Sequence, residues 1–141
     1  MSRPIKFRVW DEQNKRMLGS DCVDLLIDFS GRVNSHDTGV LNGYNNTPQY
    51  PIMQYTGVHD DTEEQAELFD GDIAEVEYEG QKHICKVKYC GGGYMFVADS
   101  LPDSYLWLSE FIEFDREYCW AEGTKKLGNI HDHPYLLEAA Q

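Results

Sequence analysis

Ile73-Ala74-Glu75-Val76-Glu77-Tyr78-Glu79-Gly80-Gln81-Lys82-His83-Ile84-Cys85-Lys86-Val87-Lys88-Tyr89 contains two alternating runs joined at Glu79-Gly80. Successive side chains of a strand point to opposite faces. Ala74, Val76 and Tyr78 therefore share one face of the first run, and His83, Cys85, Val87 and Tyr89 share one face of the second. The opposite face sets Glu75 and Glu77 near Lys82 and Lys86. Each such cross-strand pair adds at most about 1 kcal/mol. A slip of one residue exposes the whole apolar set, so the register is well specified.

Working outward, Gly91-Gly92-Gly93 turns the chain into a third β-prone run, Tyr94-Met95-Phe96-Val97-Ala98. Three antiparallel strands with a glycine corner predict a small SH3-like barrel. Leu106-Trp107-Leu108 and Phe111-Ile112 with Phe114 supply apolar cover. The stretch 118–130 supplies a last strand before the turn His131-Asp132-His133-Pro134, and Leu136-Leu137 packs beyond it. Upstream, Ile5-Lys6-Phe7-Arg8-Val9-Trp10 alternates and predicts a hairpin with Arg16-Met17-Leu18. Val23-Asp24-Leu25-Leu26-Ile27-Asp28-Phe29 and Arg32-Val33-Asn34 predict a second pair. Residues 35–49 read as irregular loop, and Tyr50 to Gly57 as a strand whose Pro51 suits its start. Asp60 to Leu68 leans by propensity toward helix, and one or two helical turns or a solvated linker both suit it. The expected fold is all-β with two small subdomains, residues 1–65 and the SH3-like 66–141, and at most one or two short helical turns.

The 141 residues suffice for one ordinary core without disulfides, and 13% aromatic content argues against disorder. Twelve basic against 25 acidic residues give a net charge of −13, which disfavours phosphate backbones. The acids cluster: ten fall from Asp60 to Glu79, with no Lys or Arg among them. Five of the twelve basic residues (Arg3, Lys6, Arg8, Lys15, Arg16) lie in the first sixteen. These two regions can meet in self-association, or can be two solvated faces. Cys22, Cys85, Cys90 and Cys119 form no CxxC pair, and Met1 to Trp10 is too charged for a secretory signal. Reduced thiols in a cytoplasmic protein are expected, and no run is long and apolar enough for a membrane span.

Four stretches carry a resemblance. They are Ile5-Lys6-Phe7-Arg8-Val9-Trp10-Asp11 with Asn14-Lys15-Arg16-Met17; Met53-Gln54-Tyr55-Thr56-Gly57; Leu68-Phe69-Asp70-Gly71-Asp72-Ile73; and Lys126-Leu127-Gly128-Asn129-Ile130 with Pro134 and Leu136-Leu137-Glu138. In this order and spacing the chain resembles the YopX family of small bacteriophage and prophage proteins. The resemblance implies an all-β architecture, a phage or prophage origin and self-assembly, and it implies no activity. The acidic segment after Gly57 and the His-Asp-His at 131–133 depart from the family pattern.

Candidate chemistry is sparse. His131 and His133, with Cys119, invite a transition metal, but a zinc site needs three or four ligands, and a polar turn closed by Pro134 explains the same residues. Cys85 and Cys90 with His83 suggest a nucleophilic pair, yet residues two apart on a strand do not converge on one proton. Gly91-Gly92-Gly93 lacks the Lys-Ser/Thr of a phosphate loop. Asp60-Asp61 and Glu63-Glu64 do not fit calcium-loop spacing and read as solvated charge. Trp10, Tyr55, Trp107 and Trp120 either fill the cores or, if exposed near Arg8, stack bases or anchor a partner. The expected function is that of a non-catalytic phage accessory protein with no cofactor, no metal and no catalytic residue. It is expected to form a homo-oligomer or bind another phage or host protein. The alternative is a nucleic-acid-associated module, or an acidic DNA mimic occupying a host DNA-binding protein.

Overall fold

The structure, a computed structural model, describes residues 5–12, 14–19, 25–27, 29, 31–35, 39–40 and 51–139. Cys22, the first half of the 23–29 run and most of the 35–49 loop lie outside the described residues. The chain divides into two compact units, Ile5–Gln54 and Tyr55–Gln141. The expected division at 65/66 lies eleven residues further along (65 − 54 = 11). The reason is pairing: Tyr55 and His59 already face Phe69 and Glu67 of the second unit.

In the first unit, β1 (Phe7–Asp11) pairs with β2 (Arg16–Leu18) and places Val9 opposite Leu18. The hairpin expected from alternation is present. Its turn is closed by the Asp11 carboxylate, which accepts from the Asn14 backbone N–H at 3.2 Å and from the Asn14 amide at 2.8 Å. Arg8 is only 7% exposed. It lies in a strand flanked on both sides, because β6 (Ile52–His59) pairs along the other edge through Arg8 and Met53. Between them in sequence, β3 (Leu25–Ile27), β4 (Val33–Ser35) and β5 (Gly39–Val40) form an antiparallel set.

The second unit starts with the later half of β6. Antiparallel β7 (Glu67–Phe69) pairs with it. Of the two forms expected for it, the intervening 60–66 segment takes no helical turn and forms an ordered turn. Asp60 takes the Thr62 and Ala66 N–H groups onto its side chain, in competition with helical bonding. The central hairpin follows as read: β8 (Asp72–Tyr78) and β9 (Gln81–Cys90) place Glu77 opposite Lys82 and Val76 opposite His83. Lys82 lies 3.7 Å from Glu75, a largely exposed pair worth well under about 1 kcal/mol. Gly91 and Gly92 both have positive φ, +64° and +88°. Two such residues make the two-residue turn whose twist matches flanking strands. They bring β10 (Gly93–Val97) back with Tyr94 opposite Tyr89 and Phe96 opposite Val87.

β11 (Tyr105–Trp107) adds the next strand and runs into a 3-10 turn, Leu108–Phe111. β12 (Ile112–Glu113) and β13 (Trp120–Ala121) pair with each other, and β13 runs parallel to β6 through His59. β14 (Thr124–Asn129) pairs with β8 and completes a sheet in the order β11-β10-β9-β8-β14. A single helical turn, α1 (Tyr135–Ala139), ends the described chain. The fold is all-β.

Alternation decides the core. Ala74, Val76, Cys85, Val87 and Phe96 are each no more than 1% exposed and pack with Val58, Leu68, Leu106 and Leu108. A buried Val or Phe of this kind contributes roughly 1.5–3 kcal/mol. Ile73, on the opposite face of β8, is also fully buried.

Candidate functional site

The sheet ends in a cleft. It encloses about 500 Å³ and is lined by Thr56, Val58, Tyr89, the three glycines 91–93, Tyr94, Trp107, Leu108, Ser109 and Ile112. No lining residue carries a charge, in a chain where charged residues make up 26%. The glycine corner builds it. Tyr89 and Tyr94, opposite each other across the turn, meet edge to face with ring centroids 5.3 Å apart. A Cβ on Gly93 would lie 3.1 Å from the Trp107 ring, so the missing side chain lets the indole lie over the backbone. Tyr105 meets Trp107 at 5.8 Å, again edge to face. Tyr89 is 55% exposed and Tyr105 41%. Among the described residues, no acceptor meets the Trp107 indole N–H. Thr56 is already engaged, since its hydroxyl accepts the Val58 N–H at 3.1 Å.

Lys88, Met95 and Trp107 form one row across three strands. At about 4.8 Å between strands, Lys88 and Trp107 backbones stand about 10 Å apart. Neither Lys86 nor Lys88 has a carboxylate within salt-bridge distance among the described residues. The chemistry available is apolar and aromatic contact, hydroxyl hydrogen bonding and a neighbouring positive charge.

The structure disperses the other sequence candidates. His131 and His133 lie in a turn organised by Asn129, whose side-chain oxygen accepts the N–H groups of His131 and Asp132, both at 2.9 Å. The His133 Nδ1 accepts the Asn129 N–H at 3.3 Å. Among the described residues, no three His, Cys, Asp or Glu side chains gather as a metal set. A Cβ on Gly128 would stand 2.4 Å from His133 Nδ1. Gly128→Ala is therefore expected to displace the imidazole and cost about 1–3 kcal/mol by urea denaturation. Most of that loss should vanish in a His133→Ala background.

Cys85 is fully buried, with its thiol donating toward the His83 carbonyl at 3.7 Å, while the His83 ring meets the Ser100 hydroxyl at 2.8 Å. Burial pushes the Cys85 thiol from 9.0 up to about 12. Burial, then the charges of Glu67 and Cys119, push Tyr55 from 10.0 up to about 12. Both stay neutral in the fold. Their stabilisation is whole below the unfolded values and is lost as pH rises through the folded ones. Denaturant midpoints are expected to fall between about pH 9 and 12, each group contributing up to about 1.4 kcal/mol per pH unit where only its unfolded form has titrated. Peptide mapping after alkylation at mildly alkaline pH should find exposed Cys90 modified and Cys85 intact.

The acids read as solvated charge are partly structural. Asp60 is 1% exposed and Asp72 0%. Asp61 accepts the Gly123 N–H at 2.9 Å and lies 3.6 Å from Arg116. Lys15 and Arg16 of the basic hairpin likewise meet Glu12 and Asp11. Of the four watched aromatics, Trp10, Tyr55 and Trp120 are buried and only Trp107 reaches the cleft. Tyr89 and Tyr94 escaped notice as a pair, although a tyrosine on each side of the glycine corner was the available signal. Phe114, read as apolar cover, is 68% exposed.

The comparisons fit this architecture. The family described as YopX protein matches residues 6–138. The chain belongs to the YopX family. Two solved structures are similar to it. Protein EF1440 from Enterococcus faecalis is 25% identical with a TM-score of 0.58, over 96% of this chain and 99% of that one. Protein yopX from Bacillus subtilis is 18% identical with a TM-score of 0.59, over 94% and 97%. No curated protein matches. The stretches carrying the YopX resemblance include the turn-closing residues Asp11, Asn14, Asp72, Gly128 and Asn129, and of the cleft lining they include Thr56. No helix among the described residues is long and apolar enough to cross a membrane.

Proposed function

We propose that this YopX-family protein is a non-catalytic accessory protein of phage or prophage origin, acting in the bacterial cytoplasm by binding another protein chain. On this reading the second unit is an SH3-like module whose working surface is the aromatic cleft. The observation that carries the reading is the cleft's lining of three aromatic rings, three glycines and hydroxyls, without an acid, a base or a thiol. A hydroxyl nucleophile of the lining would need such a group beside it as activating base. Exposed aromatics around a preformed apolar depression are instead the usual anchors of protein contacts.

A photo-crosslinking amino acid at position 89 tests the reading in cells. It is expected to yield a protease-sensitive adduct that the same probe at Lys125, on the far strand, does not. Absence of any protein adduct at 89 contradicts it.

The nucleic-acid reading draws on one specific feature, Lys86 and Lys88 beside Trp107 and Tyr105, since lysines with stacking rings suit single strands. A gel shift with single-stranded DNA at low salt, lost in Lys86→Glu/Lys88→Glu, supports that alternative, and no shift removes it. The DNA-mimic variant draws less support, because Asp60 and Asp72 are buried.

A further inference from the structure

The register of β9, β10 and β11 builds a second surface, on the sheet face turned away from the core. Val87, Phe96 and Leu106 align across the three strands and are buried, so their strand neighbours point the other way. Those neighbours form two rows: Lys88, Met95 and Trp107, and beside it Lys86, Val97 and Tyr105. Together the rows make a column of cations, a column of aliphatic side chains and a column of aromatic rings. Lys88 and Tyr105 are exposed and the other four half-buried, so the face is open. Tyr89 and Tyr94 lie on the core side, and Trp107 is common to this face and the cleft.

The cation column is uncompensated in a chain of net charge −13. Glu75 answers Lys82 at 3.7 Å further along the hairpin, but no carboxylate of the described residues comes within salt-bridge distance of Lys86 or Lys88. Asp99 shares a cavity lining with Lys86 and makes no such contact. Two like charges about 7 Å apart along one strand repel each other, and acids set against them relieve both. The positive spot is short. Glu75 and Glu77 bound it on the hairpin side, and Glu110, whose carboxylate accepts the Trp107 N–H at 3.2 Å, bounds it beyond the aromatic column. A nucleic-acid strand, charged along its whole length, runs onto those acids, whereas a segment with a few carboxylates does not.

Spacing gives the occupant its shape. The cation and aromatic columns stand about 10 Å apart, two strand separations, and that is the diameter of an α-helix. Acids four residues apart on a helix are about 6 Å apart along its axis, close to the separation of the two lysines. An extended strand turns one row of side chains toward the face and serves one column only. The chain itself already uses a helix here. Its α1 rests on β9, and Leu137 of α1 lines a cavity of about 150 Å³ with Ile84, Lys86 and Val97 on the adjoining part of the same face.

We infer that the open β9–β10–β11 face binds an acidic amphipathic helix of a partner protein. Its carboxylates meet Lys86 and Lys88, and its apolar stripe covers Met95, Val97, Tyr105 and Trp107. This adds a second surface to the cleft and gives its partner a stated chemistry.

Fluorescence anisotropy of the full chain with labelled peptides of about 18 residues, long enough to be helical alone, tests it. One peptide carries a leucine–tryptophan stripe flanked by glutamates, and a second has glutamines in their place. Single-stranded oligo(dT) is the third probe. The wild type should hold the glutamate peptide at least about tenfold more tightly than the glutamine one. Lys86→Glu/Lys88→Glu should erase that preference and leave the glutamine peptide's affinity unchanged, which a misfolded variant does not do. Trp107→Ala should weaken both peptides at least about tenfold. No binding of the glutamate peptide, equal affinity for the two peptides, or a preference that survives the double substitution overturns the inference. Oligo(dT) binding tighter than the glutamate peptide, and lost in the same variant, assigns the face to nucleic acid instead. The crosslink at position 89 reports the opposite side of β9, so the cleft reading stands or falls separately.

Discussion

Replacing Asp60 with alanine is expected to cost about 3–5 kcal/mol, measured as the loss of unfolding free energy in urea. The magnitude follows from what the carboxylate holds. One oxygen accepts the Thr62 N–H at 3.2 Å, the Thr62 hydroxyl at 2.7 Å and the Ala66 N–H at 2.9 Å. The other accepts the Lys126 N–H at 2.9 Å, which ties the turn to β14. Asp60 is 1% exposed, so water cannot replace these bonds without opening the structure. Hydrogen bonds to an ionised acceptor are worth about 1.5–3 kcal/mol each, and orphaned donors add their own desolvation cost. Asp60→Asn should recover only part, about 2–3 kcal/mol remaining lost, since its NH₂ must face an N–H donor on one side or the other.

Asp72→Ala should be comparably damaging, at about 3–5 kcal/mol, because it removes one partner of a buried pair. The Asp72 carboxylate accepts the Phe69 N–H at 2.7 Å, closing the Phe69-Asp70-Gly71-Asp72 turn, and lies 3.2 Å from the Lys126 ammonium. That ammonium also donates to the Glu67 carbonyl at 2.9 Å and stands 5.6 Å from the centre of the Phe69 ring. Without Asp72 the half-buried cation keeps, among the described residues, the carbonyl and the ring. Lys126→Met alone should cost less. The double substitution should cost distinctly less than the sum of the two singles, and a strictly additive result would mean the pair is not coupled.

These two carboxylates show where reading the sequence succeeds and where it stops. Alternation in Ile73–Tyr89 located the central hairpin and its register, because period-two burial leaves a periodic trace. The glycine corner and the first hairpin were legible for the same reason. Asp60 and Asp72 were not, since a buried aspartate gathering distant N–H groups has the same local signature as a solvated one. Lys126 lies 66 positions after Asp60 in the chain (126 − 60 = 66), and no local pattern announces that contact. Helical propensity across Asp60–Leu68 was overridden by those same bonds. The cleft was half legible. Trp107 stood out, but the approach of its ring to the turn backbone depends on the missing side chain at Gly93, and no local pattern separates the exposed Phe114 from the half-buried Phe111.

The YopX motifs acquire a physical meaning from these contacts. Asp72, Lys126, Gly128 and Asn129 fix how β14 meets β8, and Asp11 with Asn14 closes the first hairpin. They specify a scaffold, and of the cleft at the glycine corner they reach Thr56.

Affinity capture from cell lysate with quantitative mass spectrometry, comparing wild type with Trp107→Ala and with Lys125→Ala, bears most directly on the idea that the aromatic corner is where this protein meets other chains. Proteins retained by the wild type and by Lys125→Ala should fall at least about tenfold on Trp107→Ala, as expected when an interfacial tryptophan is truncated. Identical recovery by all three proteins would contradict it.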